Sequence, residues 1–140
     1  MAITQKIKNP QSFGAKWTAL YANKALLDKV SDVTLIVGTT KYSLHKIVLC
    51  ATSKAFHDIC EISQKTTAHE SVHLEETEDC KAVFEDFVEY IYTGCITLDL
   101  ATVHGIITLA DKYQVDDLKE IAREFVERHQ PGTYCWFYCI

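Results

Sequence analysis

Apolar positions recur along this chain in two rhythms, and the switches between them mark out the elements. From Ser12 to Lys29, the residues Phe13, Trp17, Leu20, Lys24 and Leu27 fall at steps of four and three, with Tyr21 and Val30 widening the stripe. That spacing predicts a helix with Ser12 as its cap. Val33-Thr34-Leu35-Ile36-Val37 is short and β-branched, which suits a strand. Gly38-Thr39-Thr40 supplies a turn, and Lys41-Tyr42-Ser43-Leu44 alternates as the return strand of a hairpin. The helical rhythm then resumes. Ile47, Val48, Cys50 and Ala51 predict a short buried helix, and Ser53 caps a second with Ala55, Phe56, Ile59 and Cys60 inward.

Glu61 to Ser71 has no apolar period and reads as a loop, after which Val72 and Leu74 flank His73 in a short strand. Glu75, Glu76, Glu78 and Asp79 gather carboxylates ahead of a helix carrying Val83, Phe84, Phe87, Val88 and Ile91. Negative charge suits the positive N-terminal end of a helix, and Gly94 stops it. Cys95 to Leu98 is extended, Asp99 opens a helix carrying Val103, Ile106, Ile107 and Ala110, and a last helix begins at Asp116 or Asp117. Leu118, Ile121, Ala122, Phe125 and Val126 share one side of it, and Pro131-Gly132 ends it. Short strands among dominant helices predict an α/β (α+β) fold, a small mixed sheet surrounded by helices. The expected boundaries are a flexible arm over 1–11, one domain over 12–128 and an atypical aromatic and cysteine-rich tail over 129–140.

A chain of 140 residues with 48% apolar and 24% charged side chains has the balance of one globular domain. No run approaches the roughly 20 apolar residues that a bilayer span needs, and the polar start gives no secretory signal. Fourteen basic against nineteen acidic side chains leave a net charge of -5, which disfavours direct nucleic-acid binding. The six cysteines, Cys50, Cys60, Cys80, Cys95, Cys135 and Cys139, lie mostly within apolar helical patterns. Reduced thiols in the cytoplasm or nucleus are therefore expected.

His69-Glu70-Ser71-Val72-His73 matches the H-E-x-x-H pattern of zinc peptidases, in which a helix turns both histidines toward one metal. The flanking Thr66-Thr67 and Ser71-Val72-His73-Leu74 favour extended chain instead. In a strand, residues four apart are separated by about 13 Å, too far to share one ion. Cys135 and Cys139 lack a partner pair, and His57 with Cys60 lacks an orienting third group. Five scattered glycines build no phosphate loop. No catalytic residue, metal site or cofactor is assigned, and a zinc hydrolase built on the 69–73 segment stays a distant alternative.

Four ordered blocks carry a family resemblance. They are Ser31-Asp32-Val33, then Tyr42-Ser43-Leu44-His45-Lys46-Ile47-Val48-Leu49 with Ser53-Lys54-Ala55-Phe56, then Phe84 to Gly94 ending in Tyr90-Ile91-Tyr92-Thr93-Gly94, and Ala110-Asp111-Lys112-Tyr113-Gln114-Val115 with Leu118. Together they resemble the BTB/POZ family over about residues 12–128. The resemblance implies a compact domain for protein–protein association, commonly a homodimer through its first helix. The interface residues this implies are Phe13, Trp17, Leu20, Tyr21 and Leu27. It also implies a charged pocket formed by Asp32 and Lys46. Cullin-type ubiquitin-ligase adaptors of the family often carry a hydrophobic-x-Glu element, whose nearest match is Ala68-His69-Glu70 with contacts from Ala68 and Glu70. Alanine offers little anchoring area for such a contact. A transcriptional co-repressor platform and a standalone oligomerisation module are the alternatives, and residues 133–140 match no block of the family.

Overall fold

The computed structural model describes residues 3–8, 21–62 and 70–129. Five strands and six helices follow one another: β1 (Thr4–Lys8), α1 (Lys24–Val30), β2 (Val33–Val37), β3 (Thr40–Leu44), α2 (Lys46–Thr52), α3 (Lys54–Ile62), β4 (Glu70–Leu74), α4 (Glu78–Thr93), β5 (Cys95–Asp99), α5 (Val103–Lys112) and α6 (Asp116–His129).

The central element is α4. Thr77 caps it by accepting from the Cys80 amide, and Glu78 and Asp79 occupy its first turn. Gly94 ends it at φ 74°, a left-handed conformation that glycine adopts without Cβ strain. The helix turns Val83, Phe84, Phe87, Val88, Ile91 and Tyr92 into the core. Burying each large side chain contributes roughly 1.5–3 kcal/mol before the entropy of ordering is counted. Packed against this helix is a three-stranded sheet in the order β3-β2-β4. Its hairpin is antiparallel, with Leu35 opposite Tyr42, while β4 runs parallel to β2, with Leu35 opposite Val72. The alternating burial of β2 places Val33, Leu35 and Val37 inward, as strand periodicity requires.

The chain differs from the sequence reading at several points. The helix expected from Ser12 to Lys29 is not continuous, because it breaks at Asn23, which caps α1 from Lys24 onward. Thr4–Lys8 is not a loose arm; it forms β1 and pairs antiparallel with β5, from Thr4 opposite Asp99 to Lys8 opposite Cys95. The strands accordingly divide between two sheets rather than one. The helix after β5 begins at Val103 rather than Asp99, because the Asp99 carboxylate accepts from the Ala101 amide at 2.7 Å and holds a turn. The segment read as a loop over 61–71 is shorter at both ends, since α3 runs to Ile62 and β4 starts at Glu70.

A polar joint closes the far side of the core. The Tyr113 ring stacks on Phe56 with centroids 4.6 Å apart, and its hydroxyl donates to the Glu76 carboxylate. The Glu76 side chain is almost fully buried and also pairs with Lys112 Nζ at 2.8 Å. Burial, and next the hydrogen bond to Glu76, push the Tyr113 phenol well above its ordinary pKa. Ser53 completes the joint, accepting from the Phe56 amide at 3.1 Å and donating to the Tyr113 carbonyl.

Helices α4 and α5 approach closely at Gly105. A Cβ there would lie 2.7 Å from the Asp79 carbonyl oxygen and 2.8 Å from Val83 Cγ2. Gly105→Ala is therefore expected to lower stability by about 1–3 kcal/mol, the usual cost of overpacking. A thermal melt unchanged from the parent would show that the two helices are not held this tightly.

Candidate interaction site

Residues from three of the family blocks, Asp32, His45 with Lys46, and Tyr92, meet at one corner, where the chain leaving α1 reaches the start of α2. Asn23 caps α1, its side-chain oxygen accepting from the Leu26 amide at 3.1 Å. Leu26 and Leu27 are neighbours, so about 100° of helix separates them and they face different directions. Leu27 is the buried one at 5% exposure, whereas Leu26 is 43% exposed. One turn further, Val30 is 49% exposed. Ser31 then breaks the helix in an extended conformation, with its hydroxyl donating to the Asp28 carbonyl at 2.9 Å.

Asp32 explains the next block. Helix α2 has His45 at its N-cap position, and that imidazole makes no capping bond. The Asp32 carboxylate supplies the bond instead, accepting at 2.8 Å from the Lys46 backbone amide, fourteen residues further along the chain. A carboxylate at a helix N-terminus satisfies an orphan donor and complements the dipole. The structure thus brings the two expected pocket residues together through the Lys46 main chain, with Asp32 exposed. On the next position of α2, Ile47 stands 70% exposed, while Val48 and Leu49 are buried.

His45 sits beneath this corner. Its backbone amide donates to the Tyr92 hydroxyl at 2.9 Å, and its Nδ1 lies 3.0 Å from the same oxygen. Burial lowers the His45 pKa, against smaller opposing effects from Asp32 and the Val30 main chain. Tyr92 is wholly buried and packs against the Tyr21 ring at 5.3 Å. Burial raises both phenols well above their ordinary range.

The other expected site residues fall in different places. Tyr21 and Leu27 lie within the core, Tyr21 at 8% exposure. Phe13, Trp17, Leu20 and Ala68 lie outside the described residues, as does the Glu70 side chain. Glu70 itself opens β4 opposite Val33. The 70–74 backbone is extended, so His73 stands exposed on a strand and not on a metal-binding helix. Among the described residues, no group of three His, Cys, Asp or Glu side chains is arranged to hold a metal ion. No described helix is long and apolar enough to cross a membrane. Ile47, expected to be buried in its short helix, is exposed instead; Val30 of the expected stripe is exposed as well, and Leu26 is an exposed residue that the sequence reading missed. No local signal separated Leu26 from Leu27 or Ile47 from Val48, since adjacent apolar residues are both buried elsewhere, as at Val48-Leu49 and Val83-Phe84.

A family model for the BTB/POZ domain matches residues 22–130. The chain belongs to the BTB/POZ family. This domain is a protein–protein interaction module. Mouse BTB/POZ domain-containing protein 17 is 32% identical over 108 residues, which are 73% of this chain and 21% of that protein. Mouse zinc finger and BTB domain-containing protein 11 is 30% identical over 112 residues, 78% of this chain and 11% of that protein. Human Kelch-like protein 7 is 26% identical over 104 residues, 74% of this chain and 17% of that protein. The chain thus spans between 11% and 21% of the length of these curated relatives. The fold is similar to the BTB domain of zebrafish PATZ1, with a TM-score of 0.64 at 21% identity over 84% of this chain and 98% of that one. It is also similar to the BTB domain of human Gigaxonin, with a TM-score of 0.62 at 22% identity over 85% of this chain and 94% of that one.

Two outcomes test the corner. Asp32→Ala should cost about 1 kcal/mol by removing the cap, whereas Asp32→Asn, which keeps an acceptor, should cost a few tenths. Equal melts for both variants and the parent would remove the capping role. For His45, the unfolded imidazole has the ordinary pKa of 6.5 and the folded one a lower pKa, so the unfolded chain binds more protons between the two. The stabilisation is fully present above 6.5 and is lost as pH falls through the folded value. Denaturant midpoints at pH 7.5 and 5 should therefore fall further for the parent than for His45→Gln.

Proposed function

We propose that this BTB/POZ domain is a homodimerising adaptor without catalytic chemistry of its own. Its seam is built on Leu26 and Val30 of α1 and Ile47 of α2, together with the apolar residues Phe13, Trp17 and Leu20. The observation that carries this reading is the exposure of three aliphatic side chains, Leu26 and Val30 on α1 and Ile47 on α2, on elements joined by the Asp32 cap and the contact of the Val30 main chain with His45. Isolated apolar residues are normal on a protein surface, but a cluster of them at a rigid corner offers a partner area that water solvates poorly. A second copy presents the same three residues, so a two-fold arrangement lets each cluster cover the other.

Cullin docking is the further step that the family resemblance implies, through Ala68 and Glu70. The zinc finger and BTB relative supports a second reading, a co-repressor platform, in which the same dimer recruits a different protein. Both uses fit residence in the cytoplasm or nucleus, and the free thiols Cys50, Cys80 and Cys95 suit those reducing compartments. Neither reading requires a metal, a cofactor or contact with nucleic acid.

Light scattering at tens of micromolar should give twice the chain mass. Ile47→Asp and Val30→Asp should each shift the population to monomer, because a carboxylate would enter an apolar seam. The Ile47 change is a clean probe, since an acidic residue in the first turn of α2 does not disfavour the helix. A monomeric parent, or fully dimeric variants, would remove the proposed seam. Purified cullin failing to bind, with a known adaptor binding in parallel, would remove the ligase role and leave the dimer standing.

A further inference from the structure

On the opposite side of α1 lies a groove that the dimer seam does not use. Strand β3 is at the edge of its sheet, with β2 as its only strand neighbour among the described residues. A cavity of about 320 Å³ borders every residue of β3 from Thr40 to Leu44, together with Tyr21, Lys24, Leu27 and Asp28 on one side and Glu85 and Val88 of α4 on the other. Consecutive strand side chains point to opposite faces, so a space that touches all five residues lies along the edge of the strand and not over one face. A second cavity of about 290 Å³ shares Tyr21, Lys24 and Glu85 and adds Glu89, extending the groove along α4.

The groove is unevenly charged. Its carboxylates are Asp28, Glu85 and Glu89, and its ammonium groups are Lys24 and Lys41. Asp28 accepts from the Ser43 hydroxyl at 2.7 Å, which ties α1 to the end of β3. Glu85 and Glu89 are exposed, and neither carboxylate has a hydrogen-bond or ion-pair partner among the described residues. Lys24 does not pair with them. Its Nζ lies over the Tyr21 ring, 3.4 Å from the centroid, so the ring face already accepts a cation. Burial, followed by repulsion from Glu85, raises the Asp86 carboxyl above its ordinary range, which is consistent with negative charge crowding this stretch of α4.

We propose that this groove docks an extended segment of a partner protein carrying an arginine or lysine. The segment lies along the β3 edge, and its basic side chain replaces Lys24 on the Tyr21 ring, with Glu85 and Glu89 facing the charge. A strand edge with no strand beside it among the described residues offers main-chain hydrogen bonds to an extended chain, and the carboxylates select among such chains. The occupant is argued from charge complementarity, and the site is distinct from the corner of Leu26, Val30 and Ile47.

Random dodecapeptides displayed on phage and selected on the full chain supply the probe, followed by the enriched peptides in solution. Enriched peptides should contain arginine or lysine, and exchange of that arginine for citrulline should weaken binding about tenfold or more, as loss of a charge-assisted contact does. The double variant Glu85→Gln, Glu89→Gln should weaken binding to a similar degree with an unchanged thermal melt. Lys24→Met should tighten it by about two- to fivefold, by removing the internal competitor. No enriched peptide, enriched peptides without basic residues, indifference to citrulline, or binding untouched by the double variant would each overturn the proposal. So would peptides displaced by Ile47→Asp, which would seat them at the other corner. None of these results bears on the mass of the chain in solution, so the self-association reading is tested separately.

Discussion

One buried hydroxyl holds the working corner of this domain in place. Tyr92 is on the core face of α4, and its oxygen meets both the backbone amide and the imidazole of His45. No water reaches that oxygen, so an unmade bond there would cost roughly 1–3 kcal/mol rather than being exchanged for solvent. The bond fixes where α2 begins. Asp32 then caps α2 from the strand side, and the end of α1 is drawn against the same point. A fixed origin for α2 determines which of its side chains face water, and Ile47 is the one left outside.

The corner therefore divides labour between neighbours in sequence. Leu27 and Val48 fill the core, while Leu26 and Ile47 stand outside it. The polar residues between them serve the backbone: Asn23 and Asp32 cap helices, and Ser31 binds the Asp28 carbonyl. Asp32 thereby has a local structural role that is present in a single protomer. The polar joint of Glu76, Lys112, Tyr113 and Ser53 does comparable work on the far side of the core, fastening α3, α4 and α5 to one another. Both ends of α4 are thus anchored by buried polar contacts, and its aromatic face fills the space between them.

Much of this was legible in the residues. Helix α4 was marked by the carboxylates Glu75, Glu76, Glu78 and Asp79 at its start and by Gly94 at its stop, and its apolar spacing was unambiguous. The hairpin of β2 and β3 was marked by β-branched residues around Gly38. Strand β1 was not legible, because Thr4-Gln5-Lys6-Ile7-Lys8 has one strongly apolar residue and gains its order from pairing with β5, far away in sequence. Pairing between distant segments leaves little local signature. The parallel contact between β2 and β4 was hidden for the same reason. At the site, the expectation of Tyr21 and Leu27 at a seam came from a stripe that marks an apolar face without saying what covers it. In the structure Tyr21 and Leu27 are buried, Tyr21 against Tyr92 of α4, while Phe13, Trp17 and Leu20 lie outside the described residues. The H-E-x-x-H match shows the converse: a spacing has metal-binding meaning only on a helix, and here β4 is extended.

The membership in a family of interaction modules and the outward aliphatic corner point the same way, toward a surface that another polypeptide covers. The most direct measurement is an isotope-filtered NMR experiment on a mixture of carbon-13-labelled and unlabelled chains, which detects only contacts between protomers. Self-association through this corner requires intermolecular contacts from the methyl groups of Leu26, Val30 and Ile47, with none from the buried methyls of Leu27 and Val48. A mixture showing no intermolecular contacts, or contacts confined to surfaces away from α1 and α2, would contradict it.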